Sequence, residues 1–187
     1  MSTITTARLV LSPVAPADIA DIVALHSDPR VTPMLLDGIP STPAIAKIFV
    51  DWATTHAPHG YGTFAARRRE TGAFQGLFSL TPFEGTGELE LGGKLAPQAW
   101  GRDLAVEAGA ALIGHAFDTL ARDRLLSATH PDNRAAIGVL MRLGFVYVSP
   151  TSVFGAPGRL HELSADTWQG QGARPSTLRD AVSRRRA

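Results

Sequence analysis

The sequence predicts one α/β domain, built on a mixed sheet of about seven strands with helices on both faces. Three observations predict it. Glu88, Glu90 and Gly92 alternate with Leu89, Leu91 and Gly93, the period of a pleated strand with one polar face. Directly after it, from Leu104, apolar residues return at helical spacing, at Ala108, Ala111, Leu112, His115 and Ala116. Two antiparallel strand-like stretches precede this pair, and a further strand, a helix and a last strand pair follow. Antiparallel neighbours and a helical crossover therefore share one sheet.

In chain order, Arg8 to Val14 reads as a first strand, and Pro16 fits the first turn of a helix whose apolar face is Ile19, Ile22, Val23 and Leu25. Ser27 to Pro40 carries Pro29, Pro33 and Pro40 and reads as a loop. Thr42 is an N-cap with Pro43 behind it. Ile45, Ile48, Phe49 and Trp52 mark the apolar face of a second helix ending near His56, ahead of Pro58 and Gly60. Tyr61 to Arg68 and Phe74 to Thr81 read as strands joined by a turn at Glu70-Thr71-Gly72. A second turn, Glu84-Gly85-Thr86-Gly87, leads into the strand at Glu88, which Pro97 ends because it donates to no ladder. Arg124 to Ala128 is a further strand. Asp132 or Asn133 caps a helix with core face Ile137, Leu140 and Met141, and Gly144 stops it. Phe145 to Val148 and Arg159 to Leu163 form the last strand pair. The domain spans residues 1–168, and 169–187 is a polar, Arg-rich tail expected to be flexible.

Composition narrows the function. With 187 residues and 44% hydrophobic content, the chain holds one domain with a substantial core. A net charge of +1 gives no argument for nucleic acid. There is no Cys, so disulfides, thiolate metal sites and a Cys nucleophile are excluded. The first residues lack the apolar stretch of a signal peptide, and no run approaches the roughly 18 apolar residues of a membrane span. A cytoplasmic location is the expectation. Basic charge is nearly all Arg, with Lys47 and Lys94 the two lysines, which together with the Ala content suggests a GC-rich bacterial genome. His56 and His59 flank Pro58 at a spacing too weak for a metal site. Arg67-Arg68-Arg69 and Arg184-Arg185-Arg186 read as solvated charge, and His115 as a core residue of the long helix. No G-x-S-x-G, H-E-x-x-H or P-loop occurs.

Trp100-Gly101-Arg102-Asp103 lies at the mouth of the long helix. Unpaired N–H groups and a partial positive charge at a helix N-terminus suit a phosphate. An ordinary strand–helix connection reads the same way. Glu88 and Glu90 share the polar face of the central strand, and either carboxylate suits a general base, as does a solvent-facing pair with no role. Gly92-Gly93 within a strand signals a bulge or a close ligand approach.

Glu90-Leu91-Gly92, Leu95, Pro97, Trp100-Gly101-Arg102, Ala105 and Glu107-Ala108 form one block, and Asn133 with Leu143-Gly144-Phe145 a second. In this order and spacing the chain resembles the GNAT acetyltransferase superfamily, in its ribosomal-protein-type N-terminal acetyltransferase branch, from Arg8 to about Trp168. Two positions depart from the pattern: Asp103 stands where a second loop Gly is expected, and Ala136 where a Ser is expected.

The resemblance implies a sheet with a central splay and acetyl-CoA as co-substrate, with no metal. It implies a pantetheine arm along Lys94 and Leu95, a pyrophosphate cradle over Gly101, Arg102, Asp103, Leu104 and Ala105, and a pantetheine contact from Asn133. It favours Glu90 over Glu88 as the base that takes a proton from the attacking amine, with Glu88 tuning it. Asp103 tolerates the left-handed backbone better than most residues, and its carboxylate is expected to turn toward Arg102, away from phosphate. Ala136 cannot protonate a leaving thiolate, and Tyr147 is the candidate replacement. The implied reaction is direct attack of a primary amine, from a protein N-terminus or a small molecule, in a ternary complex. No nucleic acid or membrane partner is implied, and a homodimer is one assembly this reading allows. The alternative is a degenerate relative that binds CoA without turnover, and a module unrelated to CoA is the third reading.

Overall fold

The computed structural model describes residues 1–36, 42–83 and 85–172. Part of the Pro-rich loop, Glu84 of the second turn and the tail from 173 onward lie outside these described residues. Among them are eight strands: β1 (Ile4–Thr5), β2 (Leu9–Pro13), β3 (Gly62–Arg68), β4 (Phe74–Pro82), β5 (Leu89–Leu95), β6 (Arg124–Thr129), β7 (Val146–Val153) and β8 (Ala156–Ser164). They form one sheet in the order β1-β2-β3-β4-β5-β6-β8-β7. Every neighbouring pair is antiparallel except β5 and β6, which are parallel. The strand beyond the expected seven is β1, two residues long and too short to show a period. Glu88 lies just outside β5.

The helices are α1 (Ile19–Ser27), α2 (Pro43–Thr54), α3 (Leu104–Gly114), α4 (Arg134–Arg142) and α5 (Ala165–Gly172). The chain stays helical through Gly172, the fourth residue of the expected tail. Among the described residues no helix is long and apolar enough to cross a membrane.

Two cores lie on opposite faces of the sheet. On one face, Leu9, Phe64, Phe78, Leu80, Leu89 and Leu91 pack against Leu104, Ala108 and Leu112 of α3 and Leu140 of α4. On the other, Val14, Ala65 and Leu77 pack against Ile22 and Leu25 of α1 and Ala46, Val50 and Ala53 of α2. Burying such side chains stabilises each by about 1.5–3 kcal/mol for the larger ones. Of the apolar face expected for α2, Phe49 alone packs against the core. Ile45 and Trp52 are exposed and Ile48 is 67% exposed, while the smaller Ala46, Val50 and Ala53 are buried. Small residues let α2 approach the sheet closely, and the stripe read from the largest side chains meets the core only at its Phe49 edge. In α4, Met141 is likewise outside, at 68% exposed, while Leu140 is buried.

Local chemistry sets the ends of the elements. Thr42 Oγ1 accepts from the Ile45 N–H at 3.3 Å, and Asn133 Oδ1 from the Ala136 N–H at 3.0 Å. Gly144, at φ 90°, ends α4. Its N–H donates to the Met141 carbonyl and that of Phe145 to the Leu140 carbonyl, the paired bonds of a Schellman stop. Arg67 is more than solvated charge. Its guanidinium bridges Asp18 at 2.7 Å and Asp21 at 2.6 Å, tying β3 to the start of α1.

Glu107, in the first turn of α3, gathers the N-terminal strands. It accepts from Thr6 Oγ1 at 2.6 Å, the Arg8 N–H at 2.7 Å and Arg8 Nε at 2.5 Å. Burial pushes its carboxyl up, but these hydrogen bonds outweigh burial and leave it below the ordinary value of 4.5. A depressed folded value adds stability above the unfolded carboxylate range, and that stability is lost as pH falls through the folded value. Glu107→Gln should therefore cost about 1–3 kcal/mol at neutral pH, read by urea denaturation. The gap between variant and parent should close as the pH drops below about 4; a gap that persists unchanged in acid would show that charge is not the source.

Candidate active site

The parallel pair β5–β6 registers only at Leu89 with Leu125 and Glu90 with Leu126. Beyond that point β5 runs on to Leu95 and β6 to Thr129 without further pairing, so the two strands part. Side chains take over at the apex. Ser127 Oγ, buried, donates to the Leu91 carbonyl at 2.8 Å, and Glu90 Oε1 accepts from the Ala128 N–H at 3.0 Å. On its other edge β5 stays fully paired with β4, from Leu89 opposite Pro82 to Leu95 opposite Gly76.

Alternation then fixes which backbone groups open into the gap. Along a strand, successive residues direct their N–H and C=O to opposite edges. The Leu91 carbonyl faces β6, since Ser127 reaches it, and the Ala96 N–H faces β4, since it donates to the Gln75 carbonyl at 2.8 Å. Gly93 and Leu95 therefore present their N–H groups to the gap. Gly93 is exposed there, and Leu95 is half-buried. Lys94 lies between them with its side chain on the face of Leu77, its cross-strand neighbour.

The Gly pair is not a bulge, because the β4–β5 register is unbroken through it. A Cβ on Gly92 would meet Ser79 Oγ at 2.5 Å, and one on Gly93 would meet the Phe78 ring at 2.8 Å. Both glycines make room for β4 side chains, and the second also leaves the backbone bare toward the gap.

Glu90 is half-buried on the polar strip of the α1–α2 face, beside Thr81, its partner on β4. Glu88 is placed differently. It precedes β5, at the closed end of the splay, and its carboxylate is bound by Arg124 at 2.9 Å, which also reaches Glu162 at 3.2 Å. Arg124 compensates the Glu88 charge that a tuning role for Glu90 would use. Tyr147 stands on β7, separated from β5 by β6 and β8, with its ring against Arg159 and His161.

At the open end of β5 the chain turns through Trp100 to Asp103 into α3. Trp100 Nε1 donates to the Leu95 carbonyl at 2.9 Å, which moors the turn to the strand. Gly101 has φ 70° and Asp103 φ 58°, both left-handed. Asp103 thus adopts the conformation that a Gly would take without cost. Its carboxylate does not cap α3 and does not turn to Arg102. It reaches across to α4, where Arg142 Nη1 donates to its Oδ1 at 2.6 Å. That bond and the Arg142 charge hold the Asp103 carboxyl below the ordinary carboxylate value. The Arg102 carbonyl accepts from Arg8 Nη1 at 2.9 Å. With no side chain capping them, the first N–H groups of α3, at Leu104 and Ala105, are offered to an acceptor from outside the helix.

Asn133 caps α4 on the far side of the gap, following the end of β6, and Ala136 is the residue whose N–H it receives. His56 and His59 pack around Tyr61, with ring centroids 5.9 and 5.6 Å away. Among the described residues no group of three or more His, Cys, Asp or Glu is arranged to hold a metal. The structure thus brings together a carboxylate at the apex of a gap, N–H donors along one wall and an uncapped helix at its mouth. Ser127 and Arg142 complete this arrangement and were not read from the sequence. A polar residue inside the apolar run Leu125-Leu126-Ser127-Ala128 was a signal for the first; nothing periodic marked the second.

Comparison with known proteins accounts for this geometry. Residues 8–146 match the acetyltransferase (GNAT) domain. An acetyltransferase from Agrobacterium tumefaciens str. C58 superposes with a TM-score of 0.76 at 26% identity, covering 87% of this chain and 94% of that one. The ribosomal-protein-S5-alanine acetyltransferase from Vibrio fischeri has a TM-score of 0.73 at 16% identity, covering 90% and 99%, and shares the fold. An FsC-acetyl coenzyme A-N(2)-transacetylase from Aspergillus fumigatus is 28% identical over 157 residues, 78% of this chain. The match spans 66% of that protein, a little under two thirds of its length. The domain match covers most of the chain and the splayed sheet accompanies it, so this protein belongs to the GNAT acetyltransferase family.

Proposed function

We propose that the protein transfers an acetyl group from acetyl-CoA to a primary amine, on a protein N-terminus or a small molecule, by direct attack in a ternary complex. The observation that carries the proposal is the splay of β5 from β6, with Glu90 held at its apex by the Ala128 N–H. The name of the Aspergillus relative, a transacetylase acting at a nitrogen, supports an amine acceptor.

In this reading the uncapped N–H groups at Leu104 and Ala105, with the backbone of Gly101 to Asp103, bind the pyrophosphate. Arg142 supports the loop by drawing the Asp103 carboxylate away from that anion. Lys94 and Leu95 flank the pantetheine arm, and Asn133 contacts it from the far wall. The Gly93 and Leu95 N–H groups stabilise negative charge on the carbonyl oxygen as the amine attacks. Glu90 takes the proton from the amine, directly or through water. Glu88, already bound to Arg124, holds the closed end of the splay. The leaving thiolate departs without an acid from Ala136, as thiols ionise near pH 8.5.

Three outcomes follow. CoA at a hundredfold excess over its dissociation constant should stabilise the protein by about 2.7 kcal/mol, seen as a raised melting temperature. Absence of a shift at millimolar CoA would remove the cofactor assignment, while a shift without turnover over a panel of peptides and amines would favour a CoA-binding protein that does no chemistry. Asp103→Gly should tighten CoA binding in calorimetry, because it removes a negative charge and relaxes a left-handed position. Weaker binding would give the Asp103–Arg142 pair an active part in shaping the loop. Glu90→Gln keeps the acceptor for Ala128 and loses the base. Turnover should fall roughly a hundredfold at neutral pH, and less in alkali where the amine is already neutral, with CoA affinity intact. Full turnover at neutral pH would assign proton removal elsewhere.

A further inference from the structure

The large apolar side chains of α2 lie on its outer surface. Ile45, Ile48 and Trp52 are each about half exposed or more, while Ala46, Val50 and Ala53 seat the helix on the sheet. Scattered exposed apolar residues are ordinary, but a continuous row is not. These three stand at i, i+3 and i+7, which aligns them along the helix as the seam by which one helix packs on another. Rings continue the row. Trp52 lies 6.4 Å from Phe49 and 4.7 Å, edge-on, from His56. Tryptophan is among the side chains that most often anchor an interface.

The charges beside the row indicate what covers it. At 3.6 residues per turn, Ile45 and Trp52 fall on one flank of Ile48, and Lys47 and Asp51 on the other. Lys47 and Asp51 are exposed and pair with each other along the helix at 2.6 Å. Both flanks are balanced about nearly the same point. The midpoint of Ile45 and Trp52 falls between residues 48 and 49, that of Lys47 and Asp51 falls at residue 49, and Ile48 is within one residue of both. With about 1.5 Å of rise per residue, the three centres agree to about 1.5 Å.

A two-fold axis beside α2 at that height, perpendicular to the helix, sets a second α2 antiparallel to the first. Each flank then meets its own copy with the direction reversed. Ile45 meets Trp52 of the other copy, Ile48 meets Ile48, and Lys47 meets Asp51. A parallel pair would set Lys47 on Lys47 and Asp51 on Asp51, like charge on like.

We propose that the outer face of α2 is a self-association surface, on which two copies of this chain pack antiparallel through Ile45, Ile48 and Trp52, with Lys47 and Asp51 of each copy facing Asp51 and Lys47 of the other. The apolar row supplies the attraction. The charges fix direction and register, since exposed ion pairs add little stability. An interface built on one 12-residue helix is small, and its dimer belongs to the weak, exchanging class.

Sedimentation equilibrium of the full chain, from about 1 μM to about 1 mM, tests this. The wild type should dimerise within that range. Lys47→Glu and Asp51→Lys each leave a single sign of charge on the flank and should each weaken self-association about tenfold or more. An equimolar mixture of the two variants should dimerise at least as tightly as the wild type. Ile48→Asp should leave a monomer of unchanged helix content by circular dichroism. A wild type that stays monomeric throughout would leave the row to a different partner and overturn the proposal. A dimer that survives Ile48→Asp would overturn it too, as would single charge variants that associate like the wild type or a mixture no tighter than its components. None of these outcomes depends on acetyl transfer, so they stand apart from the proposed activity.

Discussion

The geometry of the proposed reaction centre follows from one constraint: β5 is bound along its whole length to β4 and along only two residues to β6. A strand buried between neighbours must satisfy its backbone on both edges. Here the second edge is satisfied first by β6, then by a serine hydroxyl, and then by no strand at all. The carboxylate of Glu90 does the same for β6, receiving the Ala128 N–H that a ladder would otherwise take. Two side chains thus end the pairing cleanly and leave a wedge lined with oriented amides. Preorganised donors of this kind act without reorganisation when charge develops beside them.

The mouth of the wedge is braced by charge. Arg8 joins Glu107 and the Arg102 carbonyl, and Arg142 joins Asp103, so the N-terminal strands and α4 both grip the turn before α3. Exposed ion pairs add little stability, about 0–1 kcal/mol each. Their consequence here is directional. With its carboxylate held by α4, Asp103 lends the loop the left-handed backbone of a glycine and leaves the helix N-terminus open.

Much of the fold was legible because its signals are local. The alternation at Glu88–Gly93, the caps Thr42 and Asn133, the stop at Gly144 and the helix start at Leu104 each depend on neighbours in sequence. The misread features depend on tertiary context. Large side chains on α2 suggested a core face, yet the helix sits close to the sheet on Ala46, Val50 and Ala53 and leaves Ile48 outside. Asp103 was read correctly as a left-handed residue, but its partner is 39 residues away on α4, where sequence spacing carries no information. Glu88 and Glu90 look equivalent in the strand period; only the position of Arg124 and the end of the β5–β6 pairing separate them. The gap itself was expected from family resemblance, since no periodicity announces where two strands part.

The most direct measurement of the central claim is a residue-resolved amide spectrum of the protein titrated with CoA. The N–H resonances of Gly93 and Leu95 in the wedge, and of Leu104 and Ala105 at the helix mouth, should shift together and saturate at one affinity. Amides that stay unmoved at these four positions while others respond would contradict it, and would place the cofactor somewhere other than the gap between β5 and β6.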